Sequence, residues 1–491
     1  MFLAVGTLAA LSTTIACRTK QASDEDGIAA TESVASADRE RALEKAFLAV
    51  TAADENAANA AIEFVEKKGA KPAQLQLLQS QKSFFSGDLE RARVCVDQAI
   101  QLDPKNHAAR TTQALIQLRR GDLPSFESSL RSLRATDAKG EKDLELLGVA
   151  QAHFDPAKAL ETMNEAVSKS DFAMTRAMRA IVYTRIAEDR SDISSSNLAL
   201  SDIRSARDYF PPNQYIVSIE LFARVVLANL QAKSGNEDVQ RHELGRSQLI
   251  IRSLDRAKRP HLQASIARWV YYDQTEQFEM AYDVARKAVD DGGRGFAHYA
   301  ISYLYRQGRF EEAMKLVDKA GADDPVVAFW KVCLLAEIHP DKLERSEAIA
   351  KQMATQFKSG ESACIAHLAL RVIGRRQEAT RLINNLRDKQ IAPLRNGQRW
   401  TTLLEFFVDE LSESEAIQAT ENHTFEKCVV WFTAALNKLS VGDRKGARRL
   451  FNLVDESRLL DSPYREWSRA FLSRIDADAN WPEWVVPAKL E

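Results

Sequence analysis

The sequence predicts an all-α fold in which antiparallel helix pairs stack into a superhelical solenoid. Three observations carry this. In Gly308-Arg-Phe-Glu-Glu-Ala313-Met-Lys-Leu-Val317-Asp-Lys-Ala320-Gly-Ala-Asp-Asp-Pro325, the residues Phe310, Ala313, Val317 and Ala320 recur at spacings of three and four, the period of one helix face. Gly308 provides a turn before that helix and Pro325 blocks its continuation. The same grammar recurs along the chain, and a short helix pair cannot bury both its faces without neighbours of its own kind. Glycine and proline are few, 19 and 13 in 491 residues, and fall mostly between the periodic stretches.

The offsets are specific. Gly87, Ala92, Ala99 and Pro104 follow one another at five, seven and five residues, as do Gly308, Ala313, Ala320 and Pro325. Gly121 comes 34 residues after Gly87. Gly442, Ala447 and Phe451 repeat the pattern, with Trp431 sixteen residues before Ala447; Trp400 and Ala416 keep that interval. This resembles the tetratricopeptide (TPR) repeat, with its aromatic, small residue, turn glycine, alanine, large apolar residue, alanine and proline over about 34 residues. Many copies here lack the first aromatic, and several carry insertions.

In chain order, Arg39 to Val65 reads as the first helix pair, with Ala46, Phe47, Val50, Ala61, Ile62 and Val65 as its apolar face; Gly69 and Pro72 close it. Ala73 to Asn106 and His107 to Leu133 are two regular repeats. Leu146-Leu-Gly148 followed by Ala159, Met163 and Ala166 is a third. In the fourth, Arg179 to Pro211, the Ser-rich run 189–196 is expected to lengthen the turn. The stretch 213–260 reads as an irregular pair: two long helices around Ile216 to Leu230 and Leu244 to Leu254, separated by a polar connection from Lys233 to Arg241. Regular pairs return from Phe278 to Val454. Tyr464 to Ile475 reads as an amphipathic helix that, with Trp481 and Trp484, covers the open face of the last repeat. The organisation expected is 1–20 apolar segment, 21–37 flexible tether, 38–212 first array, 213–260 irregular pair, 261–460 second array, and 461–491 capping helix and tail.

Lys+Arg 67 against Asp+Glu 69 leaves the chain near neutral, with no long basic block, so nucleic-acid binding is not expected. Cys17, Cys95, Cys333, Cys364 and Cys428 form no CxxC pair, and the last three with Cys95 read as buried structural thiols. No cofactor is expected: Gly292-Gly-Arg-Gly295 lacks the Lys-Ser/Thr of a phosphate loop, there is no GxSxG elbow, and no histidine spacing matches HExxH. Asn422-His-Thr424 fits a glycosylation sequon, a weak signal. His298 and His367 on first helices read as packed or solvated side chains. Met1 to Cys17 carries no charged residue. It is short for a membrane span and lacks a basic leader. Three readings stay open: the outer part of a transmembrane helix that begins upstream, a lipoprotein signal acylated at Cys17, or an apolar terminus with no role.

In TPR arrays the first helices of the pairs line the concave face. The register of the Gly308 repeat then points His298, Tyr299, Ser302, Tyr305 and Arg306 inward as candidate partner-binding residues, since aromatics and arginine are common anchors. The Gly121 repeat offers Thr111, Thr112, Leu115 and Arg119 in the same places, and the Trp400 repeat Thr401, Glu405 and Asp409. A protein or peptide in that groove is the expected partner, with the membrane engaged through the N-terminal segment. The C-terminal stretch, Gly442-Asp-Arg-Lys-Gly-Ala through Tyr464-Arg-Glu-Trp-Ser-Arg-Ala-Phe and Trp481-Pro-Glu-Trp484, resembles the end of large bacterial membrane-anchored serine/threonine kinases with TPR tails. The chain has no Gly-rich loop, VAIK lysine, HRD loop or DFG, so no catalysis is carried over. The expectation is a non-enzymatic, membrane-anchored interaction scaffold outside the cytoplasm, the sensor or docking tail of a kinase-like system. Two alternatives stand beside it: an envelope lipoprotein acting as an assembly factor, and an enzyme with an unrecognised site in 213–260.

Overall fold

The computed structural model describes residues 55–484 apart from short stretches, the longest being 130–147, together with 42, 43 and 46 before them. The expected apolar segment and tether, residues 1–37, lie outside the described residues, as does Cys17. Among the described residues the fold is all-α, a TPR-like superhelical solenoid of antiparallel helix pairs, with no strand.

The first array contains α1 (Glu55–Lys67), α2 (Pro72–Ser86), α3 (Leu89–Leu102), α4 (His107–Arg119), α5 (Pro156–Lys169), α6 (Ala173–Arg190) and α7 (Ile193–Tyr209). Then come α8 (Gln214–Lys233) and α9 (Glu237–Asp255). The second array runs through α10 (Leu262–Gln274), α11 (Phe278–Asp290), α12 (Ala297–Arg306), α13 (Phe310–Ala320), α14 (Pro325–Ile338), α15 (Leu343–Gln356), α16 (Gly360–Val372), α17 (Arg376–Asp388), α18 (Gly397–Phe407), α19 (Glu413–Ala419), α20 (Thr424–Ser440) and α21 (Arg444–Glu456). The last helix is α22 (Pro463–Ala477).

Local chemistry sets the pair boundaries. Asp88 accepts from the Arg91 amide at 3.0 Å, Asp443 from Gly446 at 2.8 Å, and Asp324 from Val326 at 2.7 Å, each satisfying amides that a helix start leaves open. Pro325 follows Asp324 as the first helical residue, where its missing N–H costs nothing. Gly308 sits at φ +69°, and the Arg309 amide reaches back to the Leu304 carbonyl at 2.9 Å, closing α12. The small residues of the repeat pattern lie in the core: Ala92, Ala99, Ala159, Ala166, Ala313 and Ala447 are wholly buried.

Two expectations about turns change. The connection in 213–260 is only residues 234–236: Gly235 takes φ +75°, the Asn236 amide bonds to the Gln231 carbonyl at 2.9 Å, and α9 starts at Glu237. The polar run from Lys233 to Arg241 is therefore mostly the exposed first turns of a helix. Likewise the serines at 194–196 lie in α7; Asp192 caps it by accepting from the Ser194 amide at 2.9 Å. Helix α8 is long and apolar enough to cross a membrane by length and composition, but it is buried on nearly all sides, packed on α6, α7, α9 and α10. A helix apolar all round is at home in such a core.

Among the described residues two hydrophobic clusters result. One joins residues from Ala42 to Ala223, the other from Ala187 to Trp484, and α8 contributes to both. The second array coils far enough to meet the first again. The Leu460 amide donates to Glu188, Lys233 Nζ donates to the Ser457 carbonyl at 2.6 Å, and Thr424 Oγ1 donates to the Asp189 carbonyl at 3.0 Å.

Candidate functional site

The five groove candidates converge, but not on open space. His298, Tyr299, Ser302 and Tyr305 are all at most 4% exposed, and Arg306 is only partly exposed. What covers Ser302, Tyr305 and Arg306 is the chain's own helix α22, while Tyr299 is covered by Trp269 and Phe296. Helix α22 packs on α21, as a terminal cover should, but it also lies against α12 and reaches α10, α14 and α20. Those four are first helices of their pairs, so α22 fills the interior of the coil.

Apolar contacts fix its depth. Trp467 is completely buried, its ring 3.9 Å from Phe329 and 5.6 Å from Phe432. Phe471 packs on Phe432, Phe451 and Tyr305. Tyr299 packs on Trp269 of α10, the rings tilted by 31° with centres 3.7 Å apart. His298 lies against Tyr299, ring to ring, at 3.6 Å.

Polar contacts fix its register. Ser302 Oγ donates to the Glu466 carboxylate at 2.9 Å. Asp273, on α10, accepts from Arg465 at 2.8 Å and from Arg469. Burial alone would raise the Asp273 carboxyl, but Arg469, Arg465 and Arg306 outweigh it and hold it below the usual range. Glu466 goes the other way: burial raises it, and the Asp273 charge adds to that. Arg306 lies 4.3 Å from the Phe278 ring centre; burial pushes its guanidinium down, with Glu466 opposing.

A second node lies at Glu337, in the last turn of α14. Its carboxylate accepts from Tyr305 Oη, from Trp481 Nε1 at 2.7 Å and from Arg474 at 3.2 Å. Burial, and then the Glu337 charge, raise the Tyr305 phenol well above its ordinary value, so it stays a donor. Beyond it, Trp484 Nε1 donates to the Val372 carbonyl at 3.2 Å. Arg371, beside this tail, donates to the Phe407 carbonyl at 2.8 Å, and burial brings it down to about 10.

Sequence reasoning named the five residues and the terminal helix separately, without their mutual fit. It missed Asp273, Glu337, Arg465, Glu466 and Arg469. The available signal was Arg465, Glu466 and Arg469 sharing one helical stretch with Tyr464, Trp467 and Phe471, too many charges for the apolar side of a plain cap. In the first array, Thr111 and Thr112 turn their hydroxyls to the carbonyls of His107 and Ala108, and Leu115 is buried. His367 is buried too; its Nδ1 lies 3.0 Å from the Ala379 carbonyl, and burial takes its pKa down to about 3. Cys333, Cys364 and Cys428 are buried, and burial pushes Cys428 up to about 12, far from a reactive thiolate. The polar residues of 213–260 form a structural chain: Arg224 bridges Glu220 at 2.8 Å and Glu243, with Arg207 on the far side of Glu220 at 2.6 Å.

No family model and no curated protein matches this chain. Solved structures similar to it include a tetratricopeptide repeat protein from Parabacteroides merdae, 18% identical, spanning 55% of this chain and 100% of its own, with a TM-score of 0.32. Yeast Tom70 is 13% identical over 93% of this chain and 98% of its own, with a TM-score of 0.36. A human IFIT1 dimer with m7Gppp-AAAA is 14% identical over 83% of this chain and 91% of its own, with a TM-score of 0.37.

Proposed function

We propose that this chain is a non-catalytic protein-interaction scaffold, anchored at a membrane by its N-terminal segment and acting outside the cytoplasm as the docking or sensor tail of a serine/threonine kinase-like system. The observation that carries the scaffold reading is the succession of helix pairs among the described residues, which presents extended faces to a protein partner. The buried charges described above join one helix to another, which suits a rigid platform. The kinase link rests on the C-terminal resemblance, and the membrane link on the uncharged run from Met1 to Cys17.

The filled interior affects where a partner binds. A partner using His298, Tyr299, Ser302, Tyr305 and Arg306 must first displace α22. The array 38–212 precedes that filled section, and in this reading its first helices α2, α4 and α6 carry the docking face.

Cell fractionation tests the anchor: the full chain should sediment with membranes and a chain of residues 21–491 should not. Detergent extraction followed by affinity purification should bring a serine/threonine kinase down with the full chain. Equal partitioning of the two chains overturns the anchor, and absence of any kinase overturns the signalling link. The purified chain incubated with labelled ATP should transfer no phosphate; transfer would overturn the non-catalytic reading.

A further inference from the structure

Where the second array meets the first, three potential metal ligands come together. Asp189 is in the last turn of α6, His423 immediately precedes α20, and Glu426 is in the first turn of α20. One ligand atom from each lies within 4.8 Å of the other two. His423 Nδ1 is 2.7 Å from Asp189 Oδ2. The His423 and Asp189 side chains are 9% and 19% exposed, and Glu426 is buried.

The arrangement has features that a plain hydrogen bond does not require. His423 is the extended residue that opens α20 and Glu426 lies three residues on in its first turn, so both sit at the start of the same helix. The third ligand comes from 234 residues away and its backbone is fixed, because Thr424 Oγ1 holds the Asp189 carbonyl. An imidazole with carboxylates suits a divalent transition ion of the zinc class. Ligand bonds of about 2.0–2.2 Å put tetrahedral ligand atoms roughly 3.4 Å apart. The His423–Asp189 pair would open by several tenths of an ångström, and the separations to Glu426, which are at most 4.8 Å, would adjust by rotation of its side chain.

We propose that Asp189, His423 and Glu426 bind one divalent ion of the zinc class, which clamps the second array to the first. Local sequence spacing cannot show such a site, since only two of its ligands are neighbours. The test uses the full chain after dialysis against a chelator. Titration with CoCl2 should give one visible d–d band saturating at one ion per chain, displaced by ZnCl2. His423→Gln and Glu426→Gln should each weaken binding by more than about tenfold, given that even outer-shell partners are worth about 10–100-fold. His242→Gln, at an exposed histidine on α9, should leave binding unchanged. No cobalt uptake, or uptake that ignores His423→Gln, overturns the proposal. If the variants lose helicity by circular dichroism, X-ray absorption of the zinc-loaded wild-type chain decides. One imidazole and two carboxylate ligands support the site, and a shell without imidazole overturns it.

Discussion

Asp273 shows how individual residues hold this fold. It sits on α10, 4% exposed, facing two arginines from α22 that are themselves 5% and 9% exposed. Removing one member of such a set strands the opposite charge away from water. Asp273→Asn should therefore cost about 3–5 kcal/mol at neutral pH in urea denaturation. The pH dependence follows from the direction of the shift. The folded carboxyl lies below the unfolded value of about 3.9, so its stabilisation is complete above that value and is lost as pH falls through the folded pKa. Glu466, raised by burial, has the opposite sign: its contribution is complete below about 4.3 and lost as pH rises through its folded pKa. The difference between wild type and Asp273→Asn should narrow as pH drops below about 4. Equal denaturation midpoints at pH 7 would show that the network adds nothing.

Among elements, legibility followed the strength of the periodic signal. The helix Phe310–Ala320 buries Ala313, Val317 and Ala320, and these residues were readable because each is small or apolar against a charged background. Helix α9 was harder. Its buried residues are Glu243, Ser247, Ile251 and Leu254, so half of its core face is polar and its beginning looked like a loop. Helix α22 was visible as amphipathic, but its destination was not, because long-range placement depends on the accumulated curvature of all the pairs before it. That placement makes α22 part of the core instead of a detachable cover. Trp467→Ala should cost about 3–5 kcal/mol by chemical denaturation, as for other wholly buried large aromatics. A loss under about 1 kcal/mol would mean that the helix is only loosely seated.

The whole molecule differs from an open solenoid in one respect, its closure. Stacked pairs contact only their neighbours, which leads to an elongated shape. Here α6 and α8 are joined to the segments at α20 and α21 across more than two hundred residues of sequence. The contact from the Leu460 amide to Glu188 tests this most directly. Leu460 lies in the connection between α21 and α22, where an amide with only water as acceptor exchanges fast. Bonded to a buried carboxylate on another part of the coil, it should exchange slowly, and only as often as the two arrays part. Hydrogen exchange should therefore show protection at Leu460 approaching that of the neighbouring helices. Glu188→Ala removes the acceptor and should accelerate exchange at Leu460 while leaving the interior of α12 and α13 unchanged. Fast exchange at Leu460 in the wild-type chain, insensitive to Glu188→Ala, would mean an open coil in solution. The protein-interaction reading would survive that outcome; the clamp across Asp189, His423 and Glu426 would lose the junction it is built on.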